Sequence, residues 1–152
     1  MCVIQMVKMV DISNKKNVLR IARAKGKIRL KPETIRLIKE NKIEKGNVFE
    51  ISKVVAISSA KKTSTLLPFC HPIEITHVDA DIRVLEDGIE VDVTVKSYAK
   101  TGVEMEALVS VSIALLNIWD MVKKYEKDSF GQYPTTKIEE IIVVEKIKED
   151  TQ

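Results

Sequence analysis

The 152-residue sequence predicts an α+β sandwich whose elements run β-α-β-β-α-β, with an extra helix inserted after the first strand. Three observations carry that expectation. Two alternating apolar runs, 73–84 and 89–98, flank Asp87-Gly88, and an Asp-Gly pair in that position is a strong hairpin signal. Gly102 precedes a stretch, 103–124, that is apolar on almost every face, as a helix buried in a core must be. A closing run rich in β-branched residues occupies 138–147.

The remaining elements follow in chain order. Residues 2–10 alternate loosely and are rich in Val, Ile and Met, which predicts the first strand. Residues 15–31 are basic and weakly patterned, suggesting a short helix or turn with a strand candidate at 27–30. Pro32 opens a helix through Ile35, Leu37 and Ile38 that ends near Asn41 and Lys42, because the first helical turn accommodates proline. The stretch 48–67 mixes helical spacing (Val48, Ile51, Val54, Val55, Ile57) with Ser58 and Ser59. A second, closely packed helix ending before Pro68 is expected there. With the hairpin, the 103–124 helix and the final strand, the order is that of a ferredoxin-like sandwich. One small sandwich hardly wraps a helix that is apolar all round. Part of that helix, or of the sheet, is therefore expected to be buried against another subunit.

Composition narrows the function classes. The length suits one domain over 1–152, and 45% hydrophobic against 31% charged residues excludes intrinsic disorder. Two cysteines, Cys2 and Cys70, are too few for a disulfide scaffold and point to a reducing compartment. Charge interrupts every apolar run before the ~20 residues of a membrane span. The N-terminal MCVIQMVKMVDIS carries Lys8 and Asp11 and no small-residue cleavage site, so a strand is expected rather than a leader, and a cytoplasmic location. Charge is uneven: residues 1–40 hold eleven Lys/Arg against three acidic residues, +8, leaving −5 for the other 112. Such a segment either holds phosphates, nucleic acid or an acidic partner, or forms a solvated face.

Chemistry-bearing residues concentrate in three places. In KKTSTLLPFCHPIEITH (61–77), Lys61, Lys62, Thr63 and Ser64 supply donors, and Pro68 and Pro72 restrict the backbone around Cys70-His71. His71 reads either as an acid–base or binding residue or as a structural histidine. No C-x-x-C or H-x-x-x-H spacing accompanies it, so no metal site is expected. In KTGVEMEAL (100–108), the helix dipole accounts for one acidic residue in the first turn. It does not account for two: Glu104 and Glu106 lie about 200° apart, so one must point into the protein or a site. In WDMVKK (119–124), Asp120 and Lys123 share a face, and Asp120 interrupts a buried helix.

Spacing adds a geometric constraint. Glu106 and Asp120 are fourteen positions apart, so they share a face but stand about 21 Å apart along one helix. A small ligand touches both only if two copies of the helix run antiparallel in adjacent subunits, as in a symmetric dimer.

In order along the chain, the blocks MVDIS (9–13), KGNVF (45–49), AKKTSTLLPFCHPIEITHV (60–78), KTGVEMEAL (100–108) and IWDMVKK (118–124) closely resemble the cyclic pyranopterin monophosphate synthases, the molybdenum-cofactor biosynthesis protein C family. The resemblance implies an enzyme acting on 3′,8-cyclo-7,8-dihydro-GTP, the cyclised GTP made by a radical-SAM partner enzyme. The guanine-derived ring is opened and reclosed as a pyranopterin, and a cyclic phosphate forms as pyrophosphate leaves. It also implies a hexamer, a trimer of dimers with sites at the dimer interface, and no redox cofactor or obligatory tightly bound metal. By the same resemblance, catalytic positions fall on Lys45, His71, Glu104, Glu106, Asp120 and Lys123, and substrate contacts on Phe69, Cys70, His71, Met105 and Glu106. A mobile lysine near the family's C-terminus aligns best with Lys146. There the sequence departs from the common bacterial Gly-rich tail and continues as Ile147-Lys148-Glu149-Asp150.

Physical roles follow for these residues. A triphosphate and a departing pyrophosphate need cations, which Lys45, Lys61, Lys62 and Lys123 can supply, with Arg20 and Arg23 as further candidates. Asp120 beside Lys123 can form a tuned acid–base pair. Two rival readings are a ferredoxin-like RNA-binding module using the basic N-terminal segment, and a regulatory sandwich that binds nucleotide without catalysis. Against the first, the chain is only 5% aromatic and has no base-stacking run.

Overall fold

The computed structural model describes residues 5–150. Its elements are β1 (Val18–Arg29), α1 (Pro32–Lys39), α2 (Val48–Ala60), the single turn α3 (Thr63–Leu66), β2 (His77–Val84), β3 (Gly88–Ala99), α4 (Glu104–Glu126) and β4 (Lys137–Glu149). The four strands form one antiparallel sheet in the order β2-β3-β1-β4. This is the ferredoxin-like α+β arrangement, with α1 as the additional helix.

The first strand is where the sequence reading errs. Residues 5–10 are exposed and outside any strand, and positions 2–4 lie outside the described residues. The strand is instead 18–29, which includes the weakly patterned basic stretch. Its alternation pairs small residues with cations rather than Val and Ile with polar groups. Ala22, Ala24, Gly26 and Ile28 face the helices, while Arg23, Lys25, Lys27 and Arg29 face the other way. A Cβ on Gly26 would lie 2.8 Å from Ile141 Cγ1 and 2.9 Å from Leu115 Cδ1, so α4 sits closer to β1 than any side chain permits. The cations opposite are matched across the sheet. Arg23 pairs with Asp92 at 2.5 Å, Lys27 with Asp87 at 3.3 Å and Arg29 with Glu139 at 3.0 Å. The positive charge of this segment is thus neutralised by β3, its hairpin and β4, and the outer sheet face is a charge ladder rather than a basic surface.

The helical face holds the core. Helices α2 and α4 pack on the sheet and against each other through small residues, and Ser110 Oγ donates to the Ala56 carbonyl at 2.7 Å. Helix α4 is long and apolar enough to cross a membrane by length and composition alone, but half of that window is buried within the fold. It is a core helix. Its end is anchored by Glu126, fully buried, which accepts from the Lys31 N–H (3.2 Å), the Thr136 hydroxyl (2.7 Å) and the Thr34 hydroxyl. That carboxylate caps α1 in place of a side chain from α1's own N-cap. The β2–β3 hairpin closes at Gly88 as expected, with Leu85 N–H donating to the Gly88 carbonyl at 2.8 Å. Gly88 is required because a Cβ there would lie 1.9 Å from the Ile28 carbonyl oxygen. Strand β2 begins at His77 rather than 73. The preceding residues are tied to β3 by Thr76 N–H to the Lys96 carbonyl (2.9 Å) and Ser97 Oγ to the Glu74 carbonyl (2.6 Å).

Candidate active site

The nominated residues gather at the two ends of α4. At its C-terminal end, Asp120 is held between two lysines: Lys45 Nζ lies 2.9 Å from Asp120 Oδ2, and Lys123 Nζ lies 3.1 Å from Oδ1. Lys123 arrives by helical spacing. Lys45 arrives through the α1–α2 loop, which turns at Gly46 (φ 121°), is anchored by buried Ile43, and is tied to α4 where Glu44 N–H donates to the Tyr125 hydroxyl at 2.9 Å. Lys124 also pairs with Glu44. Hydrogen bonds from Lys45 first, and from Lys123 second, hold the Asp120 carboxyl below its ordinary range. All three side chains are about half exposed, lining a shallow cavity of about 280 Å³.

The N-terminal end is built differently. A cavity of about 910 Å³ is lined by Phe69, Cys70, His71, Glu104, Met105 and Lys146, together with the 10–15 segment and Gly102. Lys146 reaches from β4 to within 2.5 Å of Glu104 Oε1. Burial pushes Glu104 up, but the hydrogen bond from Lys146 and the charges of Lys146 and Arg20 outweigh it, so the carboxyl lies below its usual range. Glu106 behaves in the opposite way. It is 2% exposed, and burial first, then repulsion from Glu104, raises its proton affinity. Its Oε2 has no partner among the described residues, and Oε1 lies 4.0 Å from Cys70 Sγ. Burial likewise raises the Cys70 thiol, so it is a poor thiolate nucleophile. Of the two acidic residues in the first turn, Glu106 is the one turned inward.

The other nominated residues separate. Arg20 is on the helical side, donates to the Lys100 carbonyl at 3.3 Å, and has a buried Nε with no partner among the described residues. Arg23, three positions on, faces the opposite side of the sheet and is committed to Asp92, so the fold does not bring it to either cluster. Lys61 and Lys62 are exposed at the end of α2 and do not line the large cavity. Sequence reasoning left out Asp11, Ser13 and Lys100, which line an adjoining cavity of about 560 Å³ with His71. Asp11 accepts from Ser13 N–H at 2.8 Å and Ser13 Oγ at 2.6 Å, and Lys100 Nζ donates to the Ser13 carbonyl at 3.2 Å. The MVDIS block was the available signal. Among the described residues no three His, Cys, Asp or Glu side chains converge as a metal cluster would require.

The family pattern described as the MoaC family matches residues 9–149. The chain belongs to the MoaC family. Among its relatives, a protein from Pyrococcus furiosus is 60% identical over 144 residues, covering 95% of this chain and 92% of its own length. One from Saccharolobus solfataricus is 60% identical over 142 residues, covering 93% and 95%. A third, from Thermococcus onnurineus, is 56% identical over 144 residues, covering 95% and 92%. Each carries the name "Probable cyclic pyranopterin monophosphate synthase". In this MoaC-family chain the matched region takes in both clusters on α4 and the ion-paired Lys146.

Proposed function

We propose that the protein is an enzyme of molybdenum cofactor biosynthesis that converts 3′,8-cyclo-7,8-dihydro-GTP to cyclic pyranopterin monophosphate, releasing pyrophosphate. Acid–base catalysis would take place at a site completed between subunits. The observation that carries this reading is the placement of two incomplete clusters at opposite ends of α4, about 21 Å apart, with an uncovered apolar ridge between them. Met105 and Leu116 are 43% and 57% exposed, and Val109 and Ser112 complete the ridge. A second copy running antiparallel covers that ridge and sets Lys45, Asp120 and Lys123 of one subunit beside His71, Glu104 and Lys146 of the other.

The division of labour follows from the electrostatics. Lys45 and Lys123, already gathered by Asp120, stabilise negative charge on the triphosphate and on the departing pyrophosphate. Asp120 takes and returns protons next to cations that hold it ionised. Glu104 addresses the N–H groups of the guanine-derived ring beside the apolar walls of Phe69 and Met105, and Glu106, whose proton affinity is raised, stands one layer behind that wall as a proton source for the ring. Lys61, Lys62 and Arg20 are further candidate phosphate contacts. The assembly we propose is a hexamer, a trimer of such dimers, in the cytoplasm, supplied by a radical-SAM GTP cyclase. No redox cofactor enters the scheme.

The test is turnover of freshly made cyclised GTP, following pyrophosphate and the oxidised fluorescent pterin together. Appearance of both supports the reading. Tight binding without pyrophosphate would overturn it in favour of a nucleotide-binding sandwich, and a monomeric mass in solution would remove the shared site. Against the RNA-binding reading, the outer-face cations of β1, Arg23, Lys25, Lys27 and Arg29, are paired with Asp92, Glu90, Asp87 and Glu139.

A further inference from the structure

Glu106 is not in the wall of the 910 Å³ cavity. Cys70 is, and its sulfur stands 4.0 Å from Glu106 Oε1. The carboxyl therefore lies one layer behind the cavity at this point, with the thiol beside its Oε1. A carboxyl that is 2% exposed is ordinarily satisfied by strong donors. Here Oε2 has no partner among the described residues, and the donor offered to Oε1 is the weakest in the side-chain inventory. An ionised carboxylate in that place would be poorly solvated.

We propose that Cys70 is a positioning residue for Glu106: its thiol fills the layer between carboxyl and cavity and, by donating only weakly to Oε1, leaves the carboxyl oriented with an uncommitted Oε2. A hydroxyl at the same position would donate strongly enough to stabilise the carboxylate. The inference rests on the proposed acid–base role of Glu106, but its physical content stands apart from the identity of the substrate. The influences that bear on the Glu106 proton oppose one another, with burial the largest. Burial and Glu104, on the same helix, favour the neutral form, whereas Glu106's own N–H in the first turn of α4 favours the charged form. Cys70 is the titratable group from the loop after α3. Lys146 from β4 and Arg20 from β1 are directed to Glu104.

The experiment compares intact protein with Cys70→Ser and Cys70→Ala, following the Glu106 carboxyl by carbon-13 NMR or by its infrared C=O stretch as pH is raised, without substrate. Glu106→Gln identifies the signal. In the parent, the neutral carboxyl should persist above the ordinary glutamate value. Serine should lower its midpoint by about one pH unit, while alanine, which removes the donor, should leave it unchanged or raise it. The basic limb of the turnover profile should move with the serine midpoint. A serine midpoint equal to the parent's, or a parent Glu106 ionised in the ordinary range, overturns the proposal. If the midpoints move as expected while no variant or parent releases pyrophosphate, the positioning role stands and the proposed reaction fails.

Discussion

The two ends of α4 place carboxylates in opposite electrostatic settings. At the C-terminal end, Asp120 is open to solvent and flanked by Lys45 and Lys123, which hold it ionised. At the N-terminal end, Glu106 is buried, and burial first, with the like charge of Glu104 behind it, raises its proton affinity. Glu104 is intermediate, half-buried yet ionised by Lys146. One helix thus carries one carboxyl drawn toward its ionised form and another drawn toward its neutral form, a difference set by surroundings rather than by residue type. Because the helix is continuous, neither end reaches the other without a second copy.

The most damaging way to break that contrast is Asp120→Asn, which removes the charge but keeps the shape. Turnover should fall by about 10²- to 10⁴-fold while the oligomer mass is unchanged. Pyrophosphate release near the parent rate would show that the C-terminal cluster is not part of the chemistry. Next is Lys146→Met, which deletes the cation opposite Glu104. Turnover should drop by about 10- to 100-fold, the worth of one charge-assisted hydrogen bond. With the lysine gone, burial is opposed only by the weaker influences on Glu104, so its pKa rises, seen as an acidic limb displaced to higher pH. An unmoved limb would indicate that Lys146 does not set the ionisation of Glu104.

In the parent, the two ends predict the two limbs of the pH profile. Asp120 has a lowered pKa, so its ionised pair with the lysines is present at neutral pH and lost only as pH falls through a value below the ordinary aspartate one. Glu106 has a raised pKa, so its neutral form is present at low pH and lost as pH rises through a value above the ordinary glutamate one. Activity should therefore hold on the acidic side until pH falls below the ordinary aspartate range, and decline on the basic side as Glu106 ionises above the ordinary glutamate range. A steep loss as pH falls through about 6 to 5, in both the parent and His71→Gln, would contradict the assignment of the acidic limb to Asp120.

Between the two ends, β1 holds α4 by having no side chain at Gly26. Gly26→Ala drives a methyl toward Ile141, Leu115 and Val111 and should cost about 1–3 kcal/mol, read from the denaturation midpoint. An unchanged midpoint would mean that α4 is free to move off the sheet, and with it the spacing of the clusters.

The legibility of the molecule divides along similar lines. The hairpin at Gly88, the Pro32 helix and α4 were readable because each has a local signature: a turn pair, a proline at the first helical turn, an unbroken apolar stretch. Strand β1 was not, because Ala, Gly, Lys and Arg carry little strand propensity. Its alternation makes sense only against α4 on one side and the acidic residues of β3 and β4 on the other. Asp120 with Lys123 follows from helical spacing, whereas Lys45 reaches Asp120 across 75 positions and Lys146 reaches Glu104 across the sheet. Those two contacts are tertiary, and in the sequence only the family resemblance pointed to them. The inward turn of one of Glu104 and Glu106 was readable; which one was not.

The smallest expected effect tests the sidedness of β1 itself. Arg20 and Arg23 are three residues apart in an alternating strand, so they point to opposite faces. Arg20 lies on the helical side, near enough to lower the proton affinity of Glu104. Arg23 lies on the outer side, with its Nε and one terminal nitrogen both donating to Asp92, 5% exposed. Removing Arg23 leaves Asp92 still 3.7 Å from Arg83, so the carboxylate is not stranded. Arg23→Ala should then change turnover by no more than about twofold, in the manner of a surface substitution away from the chemistry. Arg20→Ala should lower it further than that, by withdrawing a cation from the Glu104 side of the cavity. If Arg23→Ala were instead the more damaging of the two, the outer face of the sheet would have to meet substrate, and the division of labour between the ends of α4 would need to be redrawn.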